Sequence, residues 1–456
     1  MLPTLVLLLA GAAIDLDQLA DYAGRPVPPY IRKDNTPPGN AITDAGATLG
    51  RVLFYDKQLS LNQTVACASC HKQAFAFGDT AVQSTGLAGG RTGRHSMRLV
   101  NARFGDEVRF FWDERAVSLE DQTSRPIQDH VEMGFSGTEG DPGIDSLLRR
   151  MASIDYYQRL FSFVYGDSAI TEARIQQALA QFVRSIQSFD ARYDQGRAQV
   201  PNDAAPFPNF SAQENMGKNL FLTPPPQGGA GCQGCHRAPE FDIDPNALNN
   251  GVIGVAGDSA AIDLTNTRAP SLRDLVNPQG MLNGPLMHNG VFTSLAMVVN
   301  HYNQLPVDPR NTNLDPRLRG PGGQPQNLQL TPAERDALVA FLRTLTGSDV
   351  YTNEVWSDPF DSLGQLTLLP AQTTAIGDPA WQAALTLYPN PTRDVVHLGL
   401  PGGTFGLEVL DLHGRIHVRT KVRDDDRLDL ATWPAGIYLL RFTAGSQQVV
   451  KKVIKQ

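Results

Sequence analysis

The sequence predicts a mainly α protein in which two related domains stand in tandem, followed by a small all-β sandwich. Three observations carry the prediction. All four cysteines fall into two identical C-x-x-C-H patterns, CASCH (Cys67, Cys70, His71) and CQGCH (Cys232, Cys235, His236). A Gly-x-x-Leu-Phe segment with helical spacing of its apolar residues stands ahead of each. Beyond residue 385 the pattern changes to short runs in which apolar and polar residues alternate.

In chain order, Met1 to Ala13 carries the apolar run LVLLLAGAA ahead of Asp15 and Asp17 and reads as the end of a signal peptide, without the usual positively charged start. TDAGATLGRVLFYD forms the first leading helix and is followed by the turn-like DKQLSLNQT. Ile175, Ala178, Leu179, Phe182, Val183 and Ile186 make a stripe at steps of 3, 4, 7, 8 and 11 residues, an amphipathic helix whose role is core packing. PNDAAPFPNF (Pro201 to Phe210) is a proline-rich linker. SAQENMGKNLFL opens on the capping pair Ser211 and Glu214 and repeats the leading helix. Thr331, Pro332 and Glu334 start a helix predicted to run to Gly347. From Ser348 to Ala384 the chain reads as irregular. VVHLGL, GLEVLDLHG, RLDL and IYLLRFTAG are then strands, with Tyr438, Leu440 and Phe442 on one side of the last.

Composition excludes several classes. The 456 residues suit two to four domains, and 41% hydrophobic with 19% charged residues describes a soluble globular chain. A net charge of -8 argues against a nucleic-acid partner, which needs dense Lys and Arg. After the N-terminus no run approaches the roughly 18 apolar residues of a transmembrane helix.

In C-x-x-C-H the two thiols add across the two vinyl groups of one haem, and the adjacent His is placed to bind iron from one face. A thioredoxin-like pair or a zinc site needs no His after each cysteine pair, and two copies using every cysteine leave those rivals little room. The chain is therefore read as mainly α, with two tandem cytochrome c-like haem domains followed by a small all-β sandwich domain. The expected boundaries are a signal segment over 1–13, a first haem domain over 14–200, a linker over 201–210, a second haem domain over 211–347, a linker over 348–384 and the β-sandwich over 385–456.

Over roughly Asp44 to Gly347 the chain resembles the bacterial di-haem cytochrome c peroxidases and the related MauG enzymes. The segments that carry the resemblance are LGRVLFYDKQLSLNQTVACASCH, FFWDERAVSLEDQTSRPIQDHVEMG and GPLMHNGVFTSLAMVVNHYN. The resemblance implies a peroxide-reactive N-terminal haem and a C-terminal haem that passes electrons to it. It places Trp112 between the haems and Gln122 and Glu132 in the peroxide pocket, at the family's ten-residue steps. Glu114 stands where the family has glycine, and only a local loop change is expected. One calcium ion near Asn283 and Pro285 is implied, although the family's threonine is absent at Asn283. The final residues, with LYPNPTRD, LHGR and AGIYLLRF, are similar to the C-terminal sorting domains of type IX secretion, which implies transit through the periplasm and an end at the cell surface or outside it.

Single residues divide by chemistry. Glu132 suits the base that moves a proton between the peroxide oxygens. Trp112, in an aromatic cluster, suits both packing and electron relay. His95 aligns with a family asparagine near the calcium and is not expected to block the first iron. His130 is expected to be solvated. For the second iron the residues offer Met281, Met287, His288, Met297, His301 and Tyr302, and chemistry alone does not choose. The resemblance places the ligand fourteen residues after His288 of the Pro285, His288, Gly290 motif, which is Tyr302.

The expected activity is reduction of hydrogen peroxide at the first haem, with electrons from a small donor such as a cytochrome c or cupredoxin entering through the second. A MauG-like oxidase of a protein or organic substrate and a plain electron carrier are the alternatives.

Overall fold

The computed structural model describes residues 13–268, 270–369, 384–411, 415–444 and 447–456. The signal segment (except Ala13), most of the second linker beyond Leu369 and the LHGR turn up to Gly414 thus lie outside the described residues. Residues 18–368 pack as one unit and 369–456 as a second.

Ten α-helices run among the described residues of the first unit: α1 (Asp44–Tyr55), α2 (Cys67–Cys70), α3 (Leu119–Ser124), α4 (Ile144–Ala152), α5 (Asp155–Tyr165), α6 (Glu172–Ser185), α7 (Arg192–Arg197), α8 (Ala212–Leu222), α9 (Leu295–Asn303) and α10 (Pro332–Arg343). The two leading helices are α1 and α8. Thr43 caps α1 by accepting the Gly46 amide at 3.0 Å. Ser211 and Glu214 form the capping box of α8, satisfying two amides that a helix start leaves unpaired.

The repeated glycine has a physical reason. A Cβ at Gly50 would stand 2.0 Å from the carbonyl oxygen of Ala178 on α6, and one at Gly217 would stand 1.9 Å from that of Ala337 on α10. Each leading helix therefore touches its partner backbone to backbone, α1 on α6 and α8 on α10. Any side chain at either glycine would push the pair apart. The following Phe of each repeat anchors a core. Phe54 meets Phe182 and Phe77 at ring distances of 5.1 and 5.9 Å, and Phe221 meets Phe341 and Phe241 at 5.2 and 5.7 Å. Each buried aromatic contributes roughly 1.5–3 kcal/mol by leaving water.

Two segments read as linkers are packed instead. In Pro201–Phe210, Phe207 and Phe210 are buried with Tyr193 and Phe341 in the core of the second half. In the segment from 348, Trp356 is fully buried and donates to Ser185 at 3.2 Å, while Tyr22 and Arg51 hydrogen-bond the carbonyls of Val355 and Ser357. Their aromatic residues give these stretches a core to join, which proline content and lack of periodicity concealed. Helix α10 ends at Arg343, four residues before Gly347.

The second unit is built from β1 (Thr386–Tyr388), β2 (Val395–Gly399), β3 (Thr404–Asp411), β4 (Ile416–Arg423), β5 (Asp426–Asp429), β6 (Gly436–Ala444) and β7 (Gln447–Lys455). They form an antiparallel sheet in the order β4-β3-β6-β7 and a second in the order β5-β2-β1. Val396 and Leu398 from one sheet share a core with Leu407, Val409, Leu440 and Phe442 from the other. Tyr438, Leu440 and Phe442 all point inward, as their alternation requires. The sequence reading missed β1, β4 and β7. Strand β4 lies at a sheet edge with most residues exposed, so it carries charges rather than an apolar alternation.

Candidate active site: two cavities and a shared wall

Each C-x-x-C-H motif folds locally into a single turn that brings its cysteines to one side. In the first, Cys67–Cys70 is α2 itself, and the His71 amide donates to the Cys67 carbonyl at 2.9 Å. In the second, the turn is 3-10 over Cys232–Gly234, and the Cys235 amide donates to Cys232 at 3.2 Å. No disulfide joins any of the four cysteines. His71 Nδ1 lies 3.2 Å from the Phe77 carbonyl, so it donates there and leaves Nε2 for a metal. Burial lowers the proton affinity of both histidines, His236 to about 4 with Arg317 adding to the effect. Both are therefore neutral imidazoles, the form that ligates.

Each motif opens on a cavity. The first, about 690 Å³, is lined by Cys70 and His71 together with Gln122, Glu132 and Arg115. The second, about 650 Å³, is lined by Cys232, Cys235 and His236 together with Met287 and Tyr302. His95, Ser96, Arg98, Trp112 and Pro270 line both and so form the wall between them.

Trp112 is held in that wall from three sides. Its indole nitrogen donates to the His95 carbonyl at 2.6 Å, its own carbonyl accepts from the Arg268 amide at 2.8 Å, and its ring meets His288 edge-on at 6.2 Å. Flanking it, Phe111 and Glu114 adopt left-handed backbone angles, φ +69° and +58°. Glu114 thus holds a left-handed conformation that glycine favours. The Glu114 side chain is 8% exposed, its Oε1 has no partner, and burial followed by the charge of Glu107 raises its pKa.

Glu132 follows the turn after α3, its amide donating to Asp129 Oδ1 at 2.9 Å. Burial pushes its carboxyl up to about 7, the neighbouring Asp129 adds to that, and Arg115 opposes it. A carboxyl poised near neutrality can take a proton and return it. Gln122 reaches the same cavity from α3.

The six candidates for the second iron separate by position. Tyr302, on α9, and Met287 line the second cavity. His288 lines the first, and Met281 and Met297 are exposed. His301 is turned away to the Asn250 carbonyl at 2.9 Å. Burial holds the Tyr302 phenol well above its ordinary pKa, and a hydrogen bond from Asn250 pulls the other way. His95 Nδ1 donates to the Ala81 carbonyl at 2.9 Å. His130 is exposed and pairs with Asp141 at 2.6 Å.

The polar atoms around the cavities fit porphyrins carrying propionates. Arg98 and Arg268 each keep a buried Nε without a partner, and His288, 4% exposed, has neither ring nitrogen paired. Three unsatisfied buried donors beside one cavity are what a dianionic ligand edge would satisfy. Near the expected calcium, Asn283 donates to the Asp274 carbonyl and to Tyr351, leaving its buried Oδ1 unpaired.

A family model described as di-haem cytochrome c peroxidase matches residues 44–200, and one described as secretion system C-terminal sorting domain matches 386–456. The methylamine utilization protein MauG of Methylorubrum extorquens is 31% identical over 320 residues, covering 68% of this chain and 80% of that protein. The chain belongs to the di-haem cytochrome c peroxidase and MauG family. A cytochrome-c peroxidase of Pseudomonas sp. (strain SCT) is 27% identical over 356 residues, covering 70% of this chain and 86% of its own. A crystal structure of a MauG-like protein associated with microbial copper homeostasis shares the fold, with a TM-score of 0.58 and 26% identity over 73% of this chain and 98% of that one.

Family membership implies two c-type haems, and the two cavities, each with its C-x-x-C-H motif, accommodate that number. The sorting domain directs the chain to type IX export. Among the described residues no helix is long and apolar enough to cross a membrane. The sequence reading missed Arg98, Arg115, Arg268 and Asn250 as site residues. It also missed the hairpin pairing Gly254–Val255 with Asp258–Ile262, whose Val255 and Ile262 line the first cavity. Isolated arginines and an asparagine carry no local signal, and only the fold brings them to the haem sites.

Proposed function

We propose that this chain reduces hydrogen peroxide to water in the first cavity, with electrons from a small redox protein such as a cytochrome c or cupredoxin entering by way of the second. The observation that carries the reading is the placement of Glu132 and Gln122 on the cavity that holds Cys70 and His71, while Trp112 lines both cavities. A haem bound in each would supply an iron that binds peroxide on one side and accepts single electrons on the other.

The residues divide the work. His71 and His236 would hold the iron of a haem in the first and second cavity, and Tyr302 would be a further iron-holding residue of the second. Glu132 takes the proton from the near oxygen of peroxide and gives it to the far one, which leaves as water with the O–O electron pair. Gln122 orients the peroxide by its amide. Two electrons from the donor and two protons from solvent turn the remaining oxygen into the second water. Trp112 packs between the two sites and shortens the electron path. A calcium ion near Asn283 and Pro285 rests on the resemblance and the unpaired Asn283 Oδ1, and no step depends on it.

Peroxide consumption by the purified protein with reduced cytochrome c or a reduced cupredoxin tests the reading. Turnover with either donor is expected. A MauG-like oxidation of an organic or protein substrate is the second reading, favoured by Tyr302 in the second cavity, because an anionic phenolate lowers the potential and suits oxidised iron. Peroxide consumption only when such a substrate replaces the donor would select it.

A further inference from the structure

We propose that Arg115 is a further catalytic group of the first cavity, whose guanidinium binds the peroxide oxygen that receives the electron pair as the O–O bond breaks. The inference rests on the peroxide-reducing reading above and adds a charge-stabilising partner to Glu132.

Arg115 lies on the same cavity as Gln122 and Glu132. Its guanidinium stacks over the Phe111 ring at 3.7 Å, and one nitrogen, Nη1, binds Asp113 Oδ1 at 2.8 Å. Asp113 is itself shared. Its other oxygen is held at 2.7 Å by Arg94 Nη1, and the opposite edge of Arg94 grips Asp263 through Nε at 3.2 Å and Nη2 at 2.6 Å. Asp263 follows directly on the 254–262 hairpin that lines the first cavity from the second half of the chain. A four-member ionic ladder, Asp263–Arg94–Asp113–Arg115, thus runs to the pocket and ends on a cation.

A guanidinium has five N–H donors. Asp113 takes one from Arg115, and the side chain is 45% exposed. Stacking on Phe111 and the tie to Asp113 restrict its movement, so a preorganised donor set meets charge where it develops. That charge has a definite place. When the O–O bond breaks the electron pair goes to the far oxygen, which is anionic until the proton carried by Glu132 reaches it. Glu132 is a carboxyl and cannot stabilise that anion electrostatically, whereas Arg115 can. The far oxygen then leaves as water, and electrons and protons for the near oxygen come from the donor and solvent as above.

Fluoride binding to the ferric holoprotein tests this without turnover. A fluoride ion at the peroxide position is a fixed anion that accepts hydrogen bonds and does not react. Arg115→Leu is expected to keep both haems and weaken fluoride binding at least about tenfold, the loss of one charge-assisted hydrogen bond. Arg115→Gln, for use if leucine over Phe111 impairs folding, carries the same expectation. Wild-type fluoride affinity in either variant, with both haems attached, overturns the proposal and leaves Arg115 as a prop for Phe111. A wild type that binds fluoride but consumes no peroxide would instead sink the proposed function and, with it, the peroxide role of Arg115, leaving an anion-binding guanidinium alone.

Discussion

Trp112 donates its indole N–H to the main-chain carbonyl of His95 at 2.6 Å, and both residues line both cavities. The bond fixes the indole plane within the wall, so the ring's orientation belongs to the wall and not to the ring alone. Trp112→Phe keeps an aromatic body but strips the His95 carbonyl of its donor, which costs about 1–3 kcal/mol. Both haems are expected to attach, and electron exchange between them to slow when followed by stopped-flow absorbance after reduction. An unchanged exchange rate would reduce Trp112 to packing.

Glu132 gives a pH signature. A base works in its ionised form, and its carboxyl is pushed up to about 7 by burial and then by Asp129. Turnover should therefore climb as pH rises through about 7 and level off above it. Glu132→Gln should abolish that limb and slow peroxide turnover by at least about 10²-fold, the low end for a lost acid-base group. A variant within a few-fold of wild type at all pH values would make Glu132 a pocket wall.

Glu114 occupies a left-handed backbone position with a buried, unpaired carboxylate oxygen. Relief of roughly 1–2 kcal/mol of backbone strain, set against roughly 0.5–1 kcal/mol of extra chain freedom in the unfolded state, leaves Glu114→Gly more stable by roughly 1 kcal/mol. A raised thermal midpoint in calorimetry is expected. A lowered one would mean that the hydrogen bond from Asn266 and the nearby charge of Arg268, both acting on the Glu114 carboxyl, outweigh the strain.

Tyr302 and Met287 meet at one amide. Asn250 Nδ2 lies 3.4 Å from Met287 Sδ, and the Asn250 side chain also hydrogen-bonds Tyr302. Tyr302→Phe removes the oxygen proposed to ligate and keeps the ring, so the optical and paramagnetic signature of the second haem should change and its potential should rise. The same ligand field in that variant would pass ligation to Met287 and remove the support for the oxidase reading.

The β-sandwich has its own core, and none of its described residues lines either cavity. Deleting Leu385 to Gln456 should leave both haems and peroxide turnover intact in purified protein while stopping the chain from reaching the cell surface, as surface labelling would report. Loss of haem on deletion would make the module part of the catalytic fold.

What the sequence alone determined about this protein is what short stretches of chain encode. The C-x-x-C-H motifs place thiols and imidazole within one turn, so covalent chemistry is readable without a fold. The Gly-x-x-Leu-Phe repeat announced two equivalent helix pairs, although the reason for its glycine, a partner carbonyl 2 Å away, appeared only with α6 and α10 in place. The fourteen-residue step from His288 ends on Tyr302, which α9 places on the second cavity. Tertiary structure decided the rest. It brought two of six ligand candidates to the second cavity, sent His301 to a carbonyl and His288 to the other cavity, and packed Trp356 where the chain read as linker. It also joined Arg94 to Asp263 across 169 residues. Charge pairing and cavity lining depend on distance in space, and a single sequence records that only where neighbours in the fold are also neighbours in the chain.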